Sequence, residues 1–345
     1  MNAFRRALPA VLLFFLSPLV AEFVLGDLTA KELGALVALG PLYGGGAILI
    51  REILRRTGRG WPSFILLGFA YALVEEGIAD QSLFNPNFLH LRLLDYGWIP
   101  ALGTSLAWSI YVLGIHVAWS LAVPIGLTES FFPDRRTQPW LRGVGLGIAV
   151  ALYLVGVAAV TNYSLTQSSF RASPLQLGVS ALLALASIAA AFLLFPRRSE
   201  PAAATLRAPV PPLALAAFSL VAGSAFLLVF SWFARSLHWP ASLSVGADLL
   251  IILVICAFFA WANRGRGWTV RQTWAAAFGG LLCYVWMGYQ VDHDLHPTAG
   301  PAQHSIFVLL ALAIAAWAGV RAFRGNAEVR KQDREERRDS LGFAP

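Results

Sequence analysis

Charge, cysteine and lysine are all scarce in this chain. Of 345 residues only 13% are charged, two are cysteine, and Lys31 and Lys331 are the only lysines. A soluble domain carries about 25% charged residues, so the shortfall excludes an ordinary water-soluble enzyme. Cys256 and Cys283 both lie inside apolar runs. That excludes a disulfide framework in the loops and makes buried, inert thiols the expected reading. The net charge of +7 sits at segment ends, with no basic stripe interleaved with exposed aromatics, so nucleic acid is not an expected partner. What fills the chain is apolar: 57% of residues are hydrophobic and the mean hydropathy is +0.64. Apolar runs of about 20 residues recur along its length, each long enough to cross a bilayer core. Arginine in place of lysine, with abundant alanine and glycine, points to a GC-rich bacterial genome and hence to the bacterial plasma membrane.

The runs give an all-α bundle of about ten spans: Ala7–Leu25, Leu33–Leu54, Trp61–Ala79, Pro100–Leu127, Leu141–Thr161, Pro174–Phe195, Leu213–Ala234, Leu243–Ala262, Val270–Gln290 and Ser305–Phe323. Arg5-Arg6 before the first run is also compatible with a signal peptide; continuation of the run through Phe23-Val24-Leu25 favours an uncleaved helix. Gly44-Gly45-Gly46 in the second run should let a neighbouring helix approach closely, or let this one bend. Residues 1–195 form a first block of six spans. A Pro/Ala-rich linker follows over 196–212, then four spans within 213–323 and a charged, solvated tail over 324–345. With both termini cytoplasmic, 22 of the 26 basic residues fall on the inner side. Only Lys31, Arg92, Arg171 and Arg235 remain outside, one in each of the first four outer loops and none in the fifth, a strong positive-inside alternation. Trp61, Trp98, Trp140, Trp239 and Trp268 sit at span ends and read as interface anchors.

Polar residues inside the spans mark the candidate site. Glu75 and Glu76 are adjacent carboxylates in an apolar run, and an acidic residue at a helix centre costs roughly 2.5 to 3.5 kcal/mol to insert. His116 lies near mid-depth of the next span. At 100° per residue Ser105, Ser109, His116 and Ser120 fall on one face, an arrangement that also serves plain helix packing. Asp80, Asn85 and Gln290 lie at the outer ends, where a cavity would open. Glu22 and Asp248 read as interfacial. The stretch from Asp292 to His296, with His304 beyond, holds metal-capable residues at a spacing that matches no specific signature and reads as a solvated loop. No metal or cofactor is identified by these patterns.

The segments Arg51-Glu52-Ile53-Leu54-Arg55-Arg56-Thr57-Gly58-Arg59-Gly60-Trp61-Pro62, Val74-Glu75-Glu76-Gly77 and Gln81-Ser82-Leu83-Phe84-Asn85-Pro86 resemble a group of uncharacterised bacterial multi-pass membrane proteins. That resemblance covers roughly the first 140 residues and implies no activity. A weaker resemblance is to the CAAX-type (Abi) glutamyl intramembrane proteases, in which a Glu-Glu pair and later histidines activate water for peptide hydrolysis. It implies catalytic roles for Glu75, Glu76 and His116. Where that family has Arg, this chain has Asp80; where it has an aromatic before its first His, this chain has Val112; and its second His motif has no match in the later spans.

Two functional classes follow, beside a purely structural or assembly role. The first is a permease or small-molecule-binding protein, not an enzyme, with a polar site in the outer half of the membrane. The second is an intramembrane hydrolase acting on a peptide. In either, the partners are the lipid bilayer and a small-molecule or peptide substrate.

Overall fold

The computed structural model describes residues 3–195, 197, 208–234, 236–263, 268–298 and 300–340; the side chains of 3, 4, 233, 234 and 325–340 are outside the description. The stretch read as a linker, 196–212, lies largely outside the described residues.

Helices dominate because the apolar runs have no water to satisfy their backbone groups and must bond internally. They are α1 (Ala3–Pro18), α2 (Ala35–Thr57), α3 (Trp61–Ala72), α4 (Leu106–Ile115), α5 (Val123–Phe131) and α6 (Gly143–Gln167). There follow α7 (Pro174–Leu193), α8 (Pro212–Leu228), α9 (Ala241–Ala262), α10 (Val270–Leu295) and α11 (Pro301–Ser340). Four π-helical segments continue individual helices: π1 (Leu19–Val24) after α1, π2 (Leu73–Ala79) after α3, π3 (His116–Ala122) between α4 and α5, and π4 (Val229–Ala234) after α8. Among the described residues, nine helices are long and apolar enough to cross a membrane. The span expected at Val270–Gln290 is not one of them by hydropathy. It is α10, whose 26 residues reach about 39 Å at 1.5 Å per residue and whose polar side chains Gln272 and Asp292 are buried in protein.

The helices form two layers. The hydrophobic core runs from Leu16 and Phe23 through Trp119 and Leu127 to Leu281 and Ala315. α10 lies within it, against α5, α8 and α11. Around this core α6, α7 and α9 are only 17%, 17% and 11% buried over their most apolar windows. Leu154, Leu182 and Leu253 stand out from them, surface that suits acyl chains.

Two boundaries differ from the sequence reading. The fourth span begins at Leu106, not Pro100, because Trp98–Ile99 (β1) and Thr104–Ser105 (β2) pair as a short antiparallel hairpin. The charged tail continues the last helix as far as Ser340.

The glycine triplet does what its size allows. A Cβ on Gly44 would lie 2.3 Å from the Phe14 carbonyl oxygen, one on Gly45 3.3 Å from the Tyr153 Cα, and one on Gly46 2.3 Å from the Tyr71 ring. α2 is thus in close contact with α1, α6 and α3 on three sides. Gly44→Ala must push backbone apart, and overpacking of this kind costs about 1 to 3 kcal/mol. Denaturation of the detergent-purified variant should show that loss, whereas Gly58→Ala meets no neighbour and pays only for its positive φ of 64°.

Trp140 is not an interface anchor. It is 2% exposed, under the Arg51 guanidinium at 3.6 Å, with its indole N–H donating to the Arg135 carbonyl at 3.0 Å. Trp98 and Trp239 are exposed as expected.

Candidate functional site

Three of the four π-helical segments carry the residues of the candidate site: Glu22 on π1, Glu75 and Glu76 on π2, His116 and Ser120 on π3. A π turn inserts a residue into the helical ladder and is found mostly at functional sites. Here it places both members of the Glu-Glu pair against one imidazole. Glu76 Oε1 lies 2.6 Å from His116 Nε2 and Glu75 Oε2 lies 3.1 Å from His116 Nδ1. Ser120 Oγ sits 3.0 Å from the same Nδ1. The Ser82 hydroxyl donates to Glu76 Oε2, while neither Glu75 oxygen, both buried, receives a well-aligned hydrogen bond. Glu75 is 0% exposed, Glu76 5% and His116 6%.

The surround is aromatic and tightly tied. The Tyr43 ring stacks on His116 at 6.0 Å and the Tyr71 ring lies 6.4 Å away. The Tyr43 hydroxyl approaches both Glu22 and Glu75, and the Tyr71 hydroxyl approaches Glu75. Ser17 Oγ donates to the Ser120 carbonyl at 2.5 Å, fixing α1 against π3. Among the described residues, Glu75, Glu76 and His116 are also the one group of three such side chains able to offer ligand atoms within 4.8 Å of one another.

From span ends alone, His116 and Glu76 would sit at different depths. The mismatch closes for two reasons. α4 starts at Leu106, so His116 lies about 15 Å below the helix start. The segment after Ala79 also folds inward, leaving Gln81, Ser82 and Leu83 buried, with the Leu83 carbonyl accepting from Thr104 Oγ1 at 2.5 Å.

The other sequence candidates divide. Ser120 is in the site. Ser109 bonds the Ser105 carbonyl at 2.7 Å and serves the start of α4; the serine face is broken because π3 shifts the helical phase below Ile115. Asp80 caps π2 through its backbone N–H to the Glu75 carbonyl at 2.8 Å. Loss of bulk water, then the charge of Glu76, holds its carboxyl well above the usual carboxylate range. Asn85 reaches Ser168 Oγ at 3.4 Å and closes the loop. Gln290 is exposed and apart from the cluster. Glu22, read as interfacial, belongs with the site through Tyr43. Asp292 to Leu295 is the last turn of α10 rather than a loop; His296 meets the Asp27 carbonyl at 3.0 Å, and His304 is buried with neither ring nitrogen hydrogen-bonded. Asp248, read as interfacial, is likewise buried, and its carboxylate oxygens make no hydrogen bond. Tyr43, Tyr71 and Ser82 carried no separate sequence signal beyond lying in or beside the same spans.

A second charged cluster lies at the opposite end. Arg51, 1% exposed, donates to Glu129 Oε1 at 3.0 Å, Glu52 Oε1 at 3.0 Å and the Arg136 carbonyl at 2.9 Å. Arg55 grips both oxygens of Glu129 at 2.9 and 2.5 Å. Glu52 also accepts from the Trp140 backbone N–H at 2.7 Å. With every partner saturated, this network ties α2, α5 and the segment before α6.

Fold and site together define a multi-pass helical membrane protein with an acid–imidazole cluster buried in its interior. The chain belongs to an uncharacterised membrane protein family, whose model matches residues 11–259 and so includes every residue of that cluster. Neither the curated proteins nor the solved structures contain a match.

Proposed function

We propose that this protein is a permease or binding protein for a small cation, with Glu75, Glu76 and His116 as the site. The observation that carries the reading is the excess of acid over base in a water-poor setting: Glu75, Glu76 and, through Tyr43, Glu22 surround one imidazole. An imidazolium donates from both ring nitrogens and suits the two carboxylates that face them. A cation entering beside Glu75, whose oxygens lack a well-aligned hydrogen bond although the Tyr43 and Tyr71 hydroxyls approach them, takes over as counter-charge. The imidazole then gives up its proton to water, so a proton leaves as the cation enters. Such exchange is the ordinary chemistry of intramembrane acid–histidine chains.

In this reading the protein lies in the bacterial plasma membrane, with the Arg51 end and both termini in the cytoplasm, as the basic-residue alternation supports. The cluster then faces the outer half. A cavity of about 600 Å³ at the Arg51 end reaches Val117, Ala118 and Trp119, on the same π3 segment that bears His116.

The test is flux into proteoliposomes. With Mn²⁺, Zn²⁺ and methylammonium offered in turn, at least one should enter faster than into protein-free vesicles, and Glu75→Gln with Glu76→Gln should abolish the difference. Equal flux for folded wild-type protein and empty vesicles across the panel would overturn the permease reading.

A second reading, a glutamyl intramembrane hydrolase, is favoured by one observation: three ligand-capable side chains converge as water activation would require. It predicts that a membrane peptide is cleaved by wild type and not by Glu75→Gln.

A further inference from the structure

The cavity at the Arg51 end has a chemistry of its own, independent of the Glu/His cluster. Four guanidiniums line it, those of Arg51, Arg55, Arg59 and Arg136, against one carboxylate, Glu129. Arg51 and Arg55 are committed to Glu129 and to neighbouring groups. Arg59 is not: it donates to the Phe195 carbonyl and lies 4.8 Å over the Phe192 ring, and no carboxylate among the described residues pairs with it. The Arg136 side chain makes no hydrogen bond to another described residue, its backbone carbonyl alone serving Arg51. Two guanidiniums therefore have donors to spare at one end of the cavity.

The rest of the lining is apolar. Phe64 and Ile65 of α3 form one wall, Phe218 of α8 and Phe259 of α9 the other. Trp61 and Trp268 flank the arginine end, at the level where span-end tryptophans meet headgroups. Small soluble anions have no use for such walls, and a zwitterionic lipid offers its phosphate together with an ammonium that the surrounding guanidiniums repel. Basic pockets between spans are suited to anionic headgroups.

We propose that this cavity holds an anionic phospholipid from the adjoining leaflet, its phosphate on Arg59 and Arg136 and one acyl chain between α3 and the α8–α9 pair. Arg–phosphate pairing is frequently bidentate and charge-assisted, and the volume of about 600 Å³ is within the range of built ligand sites.

Native mass spectrometry of the full chain, released from detergent, tests this with added dioleoyl phosphatidylglycerol or dioleoyl phosphatidylcholine. Wild type should retain the glycerol lipid in preference to the choline lipid. Arg59→Gln with Arg136→Gln should lower retention at least tenfold, the loss expected from two charge-assisted bonds at about 1.4 kcal/mol per tenfold. Arg171→Gln, on an exposed loop at the other end, should change nothing. Ala222→Phe narrows the cavity without touching a charge and should weaken lipid retention too, which keeps the proposal falsifiable if the arginine variant fails to fold. Equal retention of the two lipids, or full retention in either cavity variant, overturns the proposal. Displacement of the lipid by millimolar glycerol 3-phosphate also overturns it, since the site would then be one for a free phosphate.

Discussion

Glu129→Ala is expected to remove about 3 to 5 kcal/mol of stability, the cost of breaking a buried ion pair by deleting one partner. The carboxylate is 4% exposed and is the shared acceptor of Arg51 and Arg55. Without it the Arg51 charge keeps only Glu52 and two carbonyls in a site closed by Trp140. Titration of the detergent-purified variant with a denaturing detergent measures the loss. A variant as stable as wild type would show that the network is incidental to the fold. Arg92→Gln supplies the contrast. Its ion pair with Asp95 is 72% and 52% exposed on the two sides, and exposed pairs contribute about 0 to 1 kcal/mol.

The second large effect is an asymmetry within the Glu-Glu pair. Glu76 is doubly held, by His116 and by Ser82; Glu75 is close to His116 but has no aligned donor. Glu76→Gln should therefore lower stability by about 1 to 3 kcal/mol, the cost of disturbing a buried charged hydrogen bond. Glu75→Gln should leave stability unchanged or raise it, because one of two neighbouring buried carboxylates is removed. Both should abolish cation flux. A site that is costly to keep and needed for function is the usual trade-off between stability and activity. Equal destabilisation by the two variants would mean that the carboxylates are interchangeable packing partners.

The sequence showed the candidate pair plainly because two carboxylates in an apolar run have no cheap explanation. His116 stood out for the same reason. What joined them was not legible. A π turn has no period of its own in the sequence, so His116–Ala122 read as ordinary helix and the serine face was drawn at 100° per residue through a point where the phase changes. The hairpin at Trp98–Ser105 read as the start of a span because Ile99, Pro100 and Ala101 are apolar. Glu22 looked interfacial because nothing in its span showed that Tyr43, on another helix, would reach it. The basic residues from Arg51 to Arg59 were legible as an orientation signal, but Arg51 itself is buried. Its partners Glu52 and Glu129 were the missed clue: acidic residues at the ends of two apolar runs, beside the Arg51 to Arg59 group, call for a counter-charge.

The exchange of a cation for the imidazole proton is the central claim. Its most direct test is proton release from detergent-purified protein in dilute buffer with a pH-sensitive dye, as MnCl₂ is added. Binding to carboxylate and imidazole ligands should expel protons in proportion to the bound ion. The account predicts saturable proton release in wild type, its loss in Glu75→Gln with Glu76→Gln, and binding without release in His116→Gln. Saturable release that persists undiminished in the double carboxylate variant would contradict it.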